Sequence, residues 1–161
     1  MSRLRLRPVV FLVLLLVVVS GSALAMNRIG YPFRGPGYDA KKGLLIEQDS
    51  FVVAVTSGEI TDRRKDFFGQ LQQVMNSLSS TDGLVGYAVQ KEIVGRRVWT
   101  QSVWTSEEEL EEFLRSTAHR EAVREGGIPR STVQSVVVSL PATEVPLAWG
   151  RVRELLATPE G

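Results

Sequence analysis

Cysteine is absent from the 161 residues, and histidine occurs once, at His119. The first absence excludes disulfides, thiolate metal sites and a lipid-modified cysteine. A single imidazole without thiolates leaves too few soft donors for a transition-metal centre built by the protein alone. No G-x-S-x-G elbow is present, and no G-x-x-x-x-G-K-S/T or G-x-G-x-x-G loop follows a strand pattern. A serine triad would have to be assembled from His119 and serines in no recognisable setting. Charge is not of one sign either: 19 basic residues face 18 acidic ones, which implies no nucleic-acid partner.

The first 26 residues read as a leader and not as part of a fold. Arg3, Arg5 and Arg7 precede an uncharged stretch from Val9 to Met26, and Ala23-Leu24-Ala25 offers a cleavage site. One reading is a signal peptide cut after Ala25. The other is a retained transmembrane anchor over 9–26, since about 18 helical residues reach roughly 27 Å. The arginines place the N-terminus in the cytoplasm, so both readings put the remainder outside it. Without those three arginines, 16 basic residues remain against 18 acidic. Residues 27–50 carry two prolines and several glycines without periodicity, and read as a linker or extension lacking an element of its own. The tract Arg34 to Asp39 (RGPGYD) reads as spacer in preference to a recognition loop. Residues 51–161 are then one domain's worth of chain.

Within that domain the spacing of apolar residues sets the order of elements. Phe51 to Thr56 is a short apolar strand that Ser57-Gly58 should end. Asp62 caps a helix through Ser79, with Phe67, Phe68, Leu71, Val74, Met75 and Leu78 on one stripe. Leu84 to Val94 alternates as a strand, and Gly95 turns the chain into a second strand from Arg97 to Thr105. At Ser106 the pattern changes: Ser106 and Glu109 have the spacing of a capping box, and Glu107 to Glu109 suit the positive end of a helix dipole. The wider acidic run to Glu112 reads as cap and solvated face, because consecutive carboxylates on a helix diverge. Thr132 to Leu140 is a last strand, and Pro146 opens a short helix, Leu147 to Ala157, with Trp149, Val152, Leu155 and Leu156 on one face.

This order, βαββαβ plus a C-terminal helix, predicts an α+β ferredoxin-like fold with an antiparallel sheet and two helices on one face. The opposite face then needs a cover, and a homodimer that closes two sheets face to face would supply it.

Candidate functional residues cluster on the strand–helix unit. The helix from Ser106 is expected to bury Leu110, Phe113, Leu114 and Thr117, and His119 lies about 180° from Leu110. The change of phase near Ser116 implies a kink that would aim His119 at the barrel mouth, where a neutral imidazole could take a proton. The plainer alternative is an imidazole that hydrogen-bonds a carbonyl or faces water. Tyr87, Trp99 and Trp104 lie on the two central strands, and an odd separation puts the two tryptophans on opposite faces. At most one of them lines a cavity; the other is core. Arg96 and Arg97 read as the solvated hairpin end.

The segment VWTQSVWTSEEELEEFLRSTAHREAV, with the preceding GLVGYAVQKEIVGRR hairpin, resembles the antibiotic biosynthesis monooxygenase-like family of dimeric α+β barrels. The resemblance spans about residues 51 to 140. It implies a homodimer and, in some members, cofactor-independent oxygenation of planar phenols or quinols. It would make His119 the proton carrier and Trp104, Trp99 or Tyr87 the aromatic walls. The alternative is a non-catalytic dimeric binding module for a small hydrophobic ligand or a partner protein. The haem-degrading branch implies an asparagine on the first strand and tryptophan and histidine ten residues apart on the second helix. Those helix positions are Phe113 and Val123 here and the strand has no asparagine, so neither haem nor another cofactor is expected.

Overall fold

The computed structural model describes residues 28–61, 72, 74–76, 78, 81–125 and 128–158; the expected leader lies outside them. Among the described residues no helix is long and apolar enough to cross a membrane. The described residues hold seven strands: β1 (Arg28–Arg34), β2 (Tyr38–Asp39), β3 (Gly43–Leu44), β4 (Ser50–Glu59), β5 (Leu84–Glu92), β6 (Arg97–Trp104) and β7 (Gln134–Pro141). Among the described residues three α-helices follow β6: α1 (Glu107–Arg115), α2 (Thr117–Glu125) and α3 (Trp149–Ala157). Residues 72, 74–76 and 78 are also helical, whereas Phe67, Phe68 and Leu71 of the expected stripe lie outside the described residues.

The main sheet runs β1-β5-β6-β4-β7 with every neighbouring pair antiparallel. Its last four strands are the ferredoxin-like arrangement that the element order implies. The ends of β4 and β5 differ from expectation, and β7 and α3 each start two residues later than expected, at Gln134 and Trp149. β4 continues through Ser57 and Gly58 to Glu59, because both residues pair with β6 and Ile128 packs where a Gly58 side chain would stand. β5 stops at Glu92 and leaves Val94 82% exposed, because the hairpin turns there.

Residues 27–50 are not free of elements. β1 pairs with β5 and covers an edge that would otherwise expose unpaired backbone. The glycines that suggest a linker are sites of close approach: a Cβ on Gly30 would stand 2.1 Å from the Val89 carbonyl oxygen, and one on Gly35 would stand 2.3 Å from the Gly86 Cα. Pro32 sits on this edge strand where the register slips between Tyr31 and Arg34, which costs no ladder hydrogen bond. Part of the RGPGYD tract folds as well, since Asp39 Oδ1 accepts from the backbone N–H groups of Lys41 and Lys42 at 2.8 Å and closes the β2–β3 turn.

Alternation along the strands divides the core in two. Phe51, Val53, Val55, Val85, Trp99 and Val103 point to one face; Val52, Leu84, Tyr87 and Trp104 point to the other, beneath Met75, Leu78, Leu110 and Phe113. The first face, expected to need a second copy, is covered by the chain itself. Val145, Leu147 and Val152 are buried on it, with Trp149, Leu155 and Leu156 packed alongside. Gln101, 2% exposed, fastens this cover by donating to the Leu147 carbonyl at 2.9 Å and accepting from the Leu147 N–H at 3.0 Å.

Candidate functional site on the helix side of the sheet

The strand-to-helix unit is built as its sequence implies. Ser106 is the N-cap of α1 and accepts from the Glu109 N–H at 3.3 Å, while the Glu109 carboxylate accepts from the Ser106 and Thr105 hydroxyls. Gly83, at φ +70°, passes against that carboxylate so closely that a Cβ would overlap it. The helix then breaks at Ser116, whose backbone is extended, and the Ser116 hydroxyl caps α2 by accepting from the His119 N–H at 3.2 Å.

The break decides which residues are buried. Leu110 and Phe113 are core, but Leu114 is 42% exposed and Thr117 is also exposed, contrary to an unbroken stripe. It also re-aims His119 toward the helix side of the sheet and not toward the opposite face. The imidazole packs against Phe113 with ring centroids 5.0 Å apart, and Phe113 packs against Trp104 at 5.1 Å. Trp104 is fully buried and donates from Nε1 to the Ser102 hydroxyl at 2.9 Å. Burial holds the His119 pKa below its ordinary value of 6.5, because the charged form loses hydration.

Tyr87 shares this face but not this opening. It lines a hollow of about 530 Å³ with Arg34, Gln72, Met75 and Asn76, and the Arg34 guanidinium lies 5.6 Å from its ring centroid. His119 lines a separate cleft of about 920 Å³ with Leu114, Val123 and Ile128 as apolar wall and Arg120, Arg124 and Arg130 as cationic members beside Glu121. Trp99 is on the far side of the sheet, under α3, so the expected grouping of Trp99 with His119 does not occur. The arginines of the cleft are what sequence reading missed. Arg120 and Arg124 stand one and five residues after His119, and only the break at Ser116 shows which way α2 turns them.

No group of three or more His, Asp or Glu side chains able to hold a metal occurs among the described residues. For haem, the two helix positions hold Phe113, buried on Trp104, and Val123, a residue with no donor and 43% exposed. That set does not fit an axially held haem of the implied kind.

The strand order defines an α+β ferredoxin-like domain, and the antibiotic biosynthesis monooxygenase family model matches residues 51–125. Over those residues, just under half of the chain, the sequence is similar to that family. Among solved structures, a heme-degrading enzyme from Listeria monocytogenes is similar at 17% identity and TM-score 0.52, covering 68% of this chain and 68% of its own. A monooxygenase-like protein from Listeria innocua is 17% identical at TM-score 0.50, covering 68% of this chain and 61% of its own. A protein from Shewanella oneidensis is 12% identical at TM-score 0.50 and is covered over 94% of its length, against 59% of this chain. The chain spans only 46% of a Lactobacillus acidophilus protein of the same fold. At such identities the likeness is one of fold. No curated protein matches the sequence.

Proposed function

We propose that the cleft beside His119 binds a planar phenol or quinol, that His119 accepts its hydroxyl proton, and that dioxygen then oxidises the bound anion. The observation that carries this reading is a neutral, half-buried imidazole at the end of a Trp104–Phe113–His119 ring series, opening into a cleft with three arginines. A base held neutral near physiological pH takes a proton without first losing one. The arginine charges lower the energy of the phenolate that results. The balanced overall step is a phenol or quinol with a free ring C–H plus dioxygen giving a quinone and water: one oxygen atom enters the ring, the other leaves as water, and no haem is invoked. Trp104 acts here as a positioning residue through Phe113, and neither Tyr87 nor Trp99 touches the substrate.

The test is oxygen uptake with a panel of quinols and polyphenols. The wild-type chain should consume oxygen, and His119→Ala should be slower by about 100-fold or more, the usual loss when a general base is removed. Equal rates from the two proteins would end the oxygenase reading. A second reading, a non-catalytic binding module, is favoured by the face under α3, where Val53, Val55, Val85, Val103 and Val152 are buried together. It would show ligand binding in the His119 cleft with no oxygen uptake.

Export, with or without a retained anchor at 9–26, belongs to the same proposal and rests on Arg3, Arg5 and Arg7 before an uncharged run. So does the homodimer. A second copy closing on the sheet face would have to displace α3, so pairing through another surface is the form we propose.

A further inference from the structure

On the face away from the His119 cleft, two guanidinium groups converge on one tryptophan. Arg28, at the start of β1, lies 5.4 Å from the Trp99 ring centroid, and Arg153, on α3, lies 6.0 Å from it. Gln90, which pairs with Trp99 across β5 and β6 and with Gly30 on β1, accepts from Arg153 Nη1 at 3.2 Å and so ties that side chain to the same spot. The strand register explains the arrangement: Arg28, Gln90 and Trp99 share one face of the sheet, and α3 crosses that face carrying Arg153.

Among the described residues, neither guanidinium has a carboxylate within ion-pair distance. Glu92 is the cross-strand neighbour of Arg28, but its carboxylate turns to the hairpin and accepts from the Arg97 N–H. Glu154, next to Arg153 on α3, lies 3.6 Å from Arg151 instead, and Glu144 also faces Arg151. Two cations placed side by side on one ring repel each other, and the ring quadrupole compensates each of them only weakly. The Arg153 pKa is lowered, first by burial and then by Arg28, which fits a pair that is short of negative charge.

We propose that Arg28 and Arg153, over Trp99 and beside Gln90, form a binding site for a phosphate group. Two planar forks of donors suit the several oxygens of one phosphate, each arginine giving charge-assisted hydrogen bonds. The group is either a free phosphate compound or the headgroup of an anionic phospholipid. Only Asn27 separates Arg28 from the Val9–Met26 run, which would bring the site near a bilayer if that run is retained. Such binding also clamps α3 to β1, since the two arginines come from those two elements.

The experiment uses the full chain in neutral detergent at constant ionic strength, with the Trp99 indole N–H resonance as the readout and inorganic phosphate as the probe. A saturable shift is expected, with the affinity falling about tenfold or more in Arg28→Gln and in Arg153→Gln. Arg115→Gln, on α1 and far from Trp99 in the fold, should bind as the wild type does. Arg28 is exposed at the end of an edge strand, so its variant tests the site without threatening the core. Adding phosphatidylglycerol to the micelles separates the two sources. The same shift assigns the site to a headgroup, and no shift with phosphate binding retained assigns it to a free phosphate. Absence of a saturable phosphate shift, or an affinity equal to that of the wild type in either arginine variant, would overturn the proposal.

Discussion

Trp104→Ala is expected to destabilise the domain by about 4 kcal/mol, within the range for truncating a fully buried tryptophan. Trp104 is the largest side chain with no exposure, and it carries contacts to Phe113 in α1 as well as the hydrogen bond to Ser102. Alanine would leave a cavity bounded by β4 and β5 on one side and α1 on the other, too rigid a surround to close it fully. The Ser102 hydroxyl would also lose a donor in a half-buried place. Urea unfolding measures the loss through the midpoint at constant slope. Trp104→Phe should recover more than half of it, since much of the volume returns. A loss under about 1 kcal/mol for the alanine variant would mean that Trp104 does not join α1 to the sheet.

Gln101→Leu should cost about 3 kcal/mol although the side chain grows more apolar. Its amide satisfies both the N–H and the carbonyl of Leu147 at a site almost closed to water, and leucine leaves both unpaired. Each buried orphan of this kind costs about 1–3 kcal/mol. The effect should be local as well as global: backbone amides of α3 should exchange faster, because the strap that leads into the helix loses its anchor on β6. Uniform exchange across β4 and α3 in the variant would show that the cover is held by apolar packing alone.

Much of this architecture is legible in the sequence, for identifiable reasons. Ser106 and Glu109 announce the start of α1, and the phase change at Ser116 announces its end, because caps are local chemistry that tertiary structure leaves unchanged. The odd separation of Trp99 and Trp104 correctly puts them on opposite faces, since the strand period is two. Other features depend on contacts distant in sequence. β1 is hidden because Gly30, Gly35 and Pro32 look like breakers until the β5 backbone is seen pressed against them. The amphipathic stripe of α3 is visible, but nothing in the stripe says that it will lie on the chain's own sheet in place of a second copy. The surroundings of His119 are hidden for a related reason: the break at Ser116 is legible, but the imidazole's packing on Phe113 is a tertiary contact. The arginines around Trp99 come from β1 and α3, far apart in sequence, and no local pattern joins them.

With one histidine in the chain, the Cε1–H resonance of His119 can be followed by proton NMR from pH 4 to pH 8 without ambiguity. A midpoint below 6.5 is expected, since burial disfavours the imidazolium. The linked stability has a definite sign. Between the folded midpoint and 6.5 the unfolded chain binds more protons than the folded one, so stability rises with pH across that window and levels off above it. Adding a non-oxidisable catechol analogue should move the resonance in a saturable way, because the ring lines the cleft assigned to the ligand. A midpoint at or above 6.5, with a resonance indifferent to the analogue, would show a solvated histidine outside any site and would contradict the proton-accepting role.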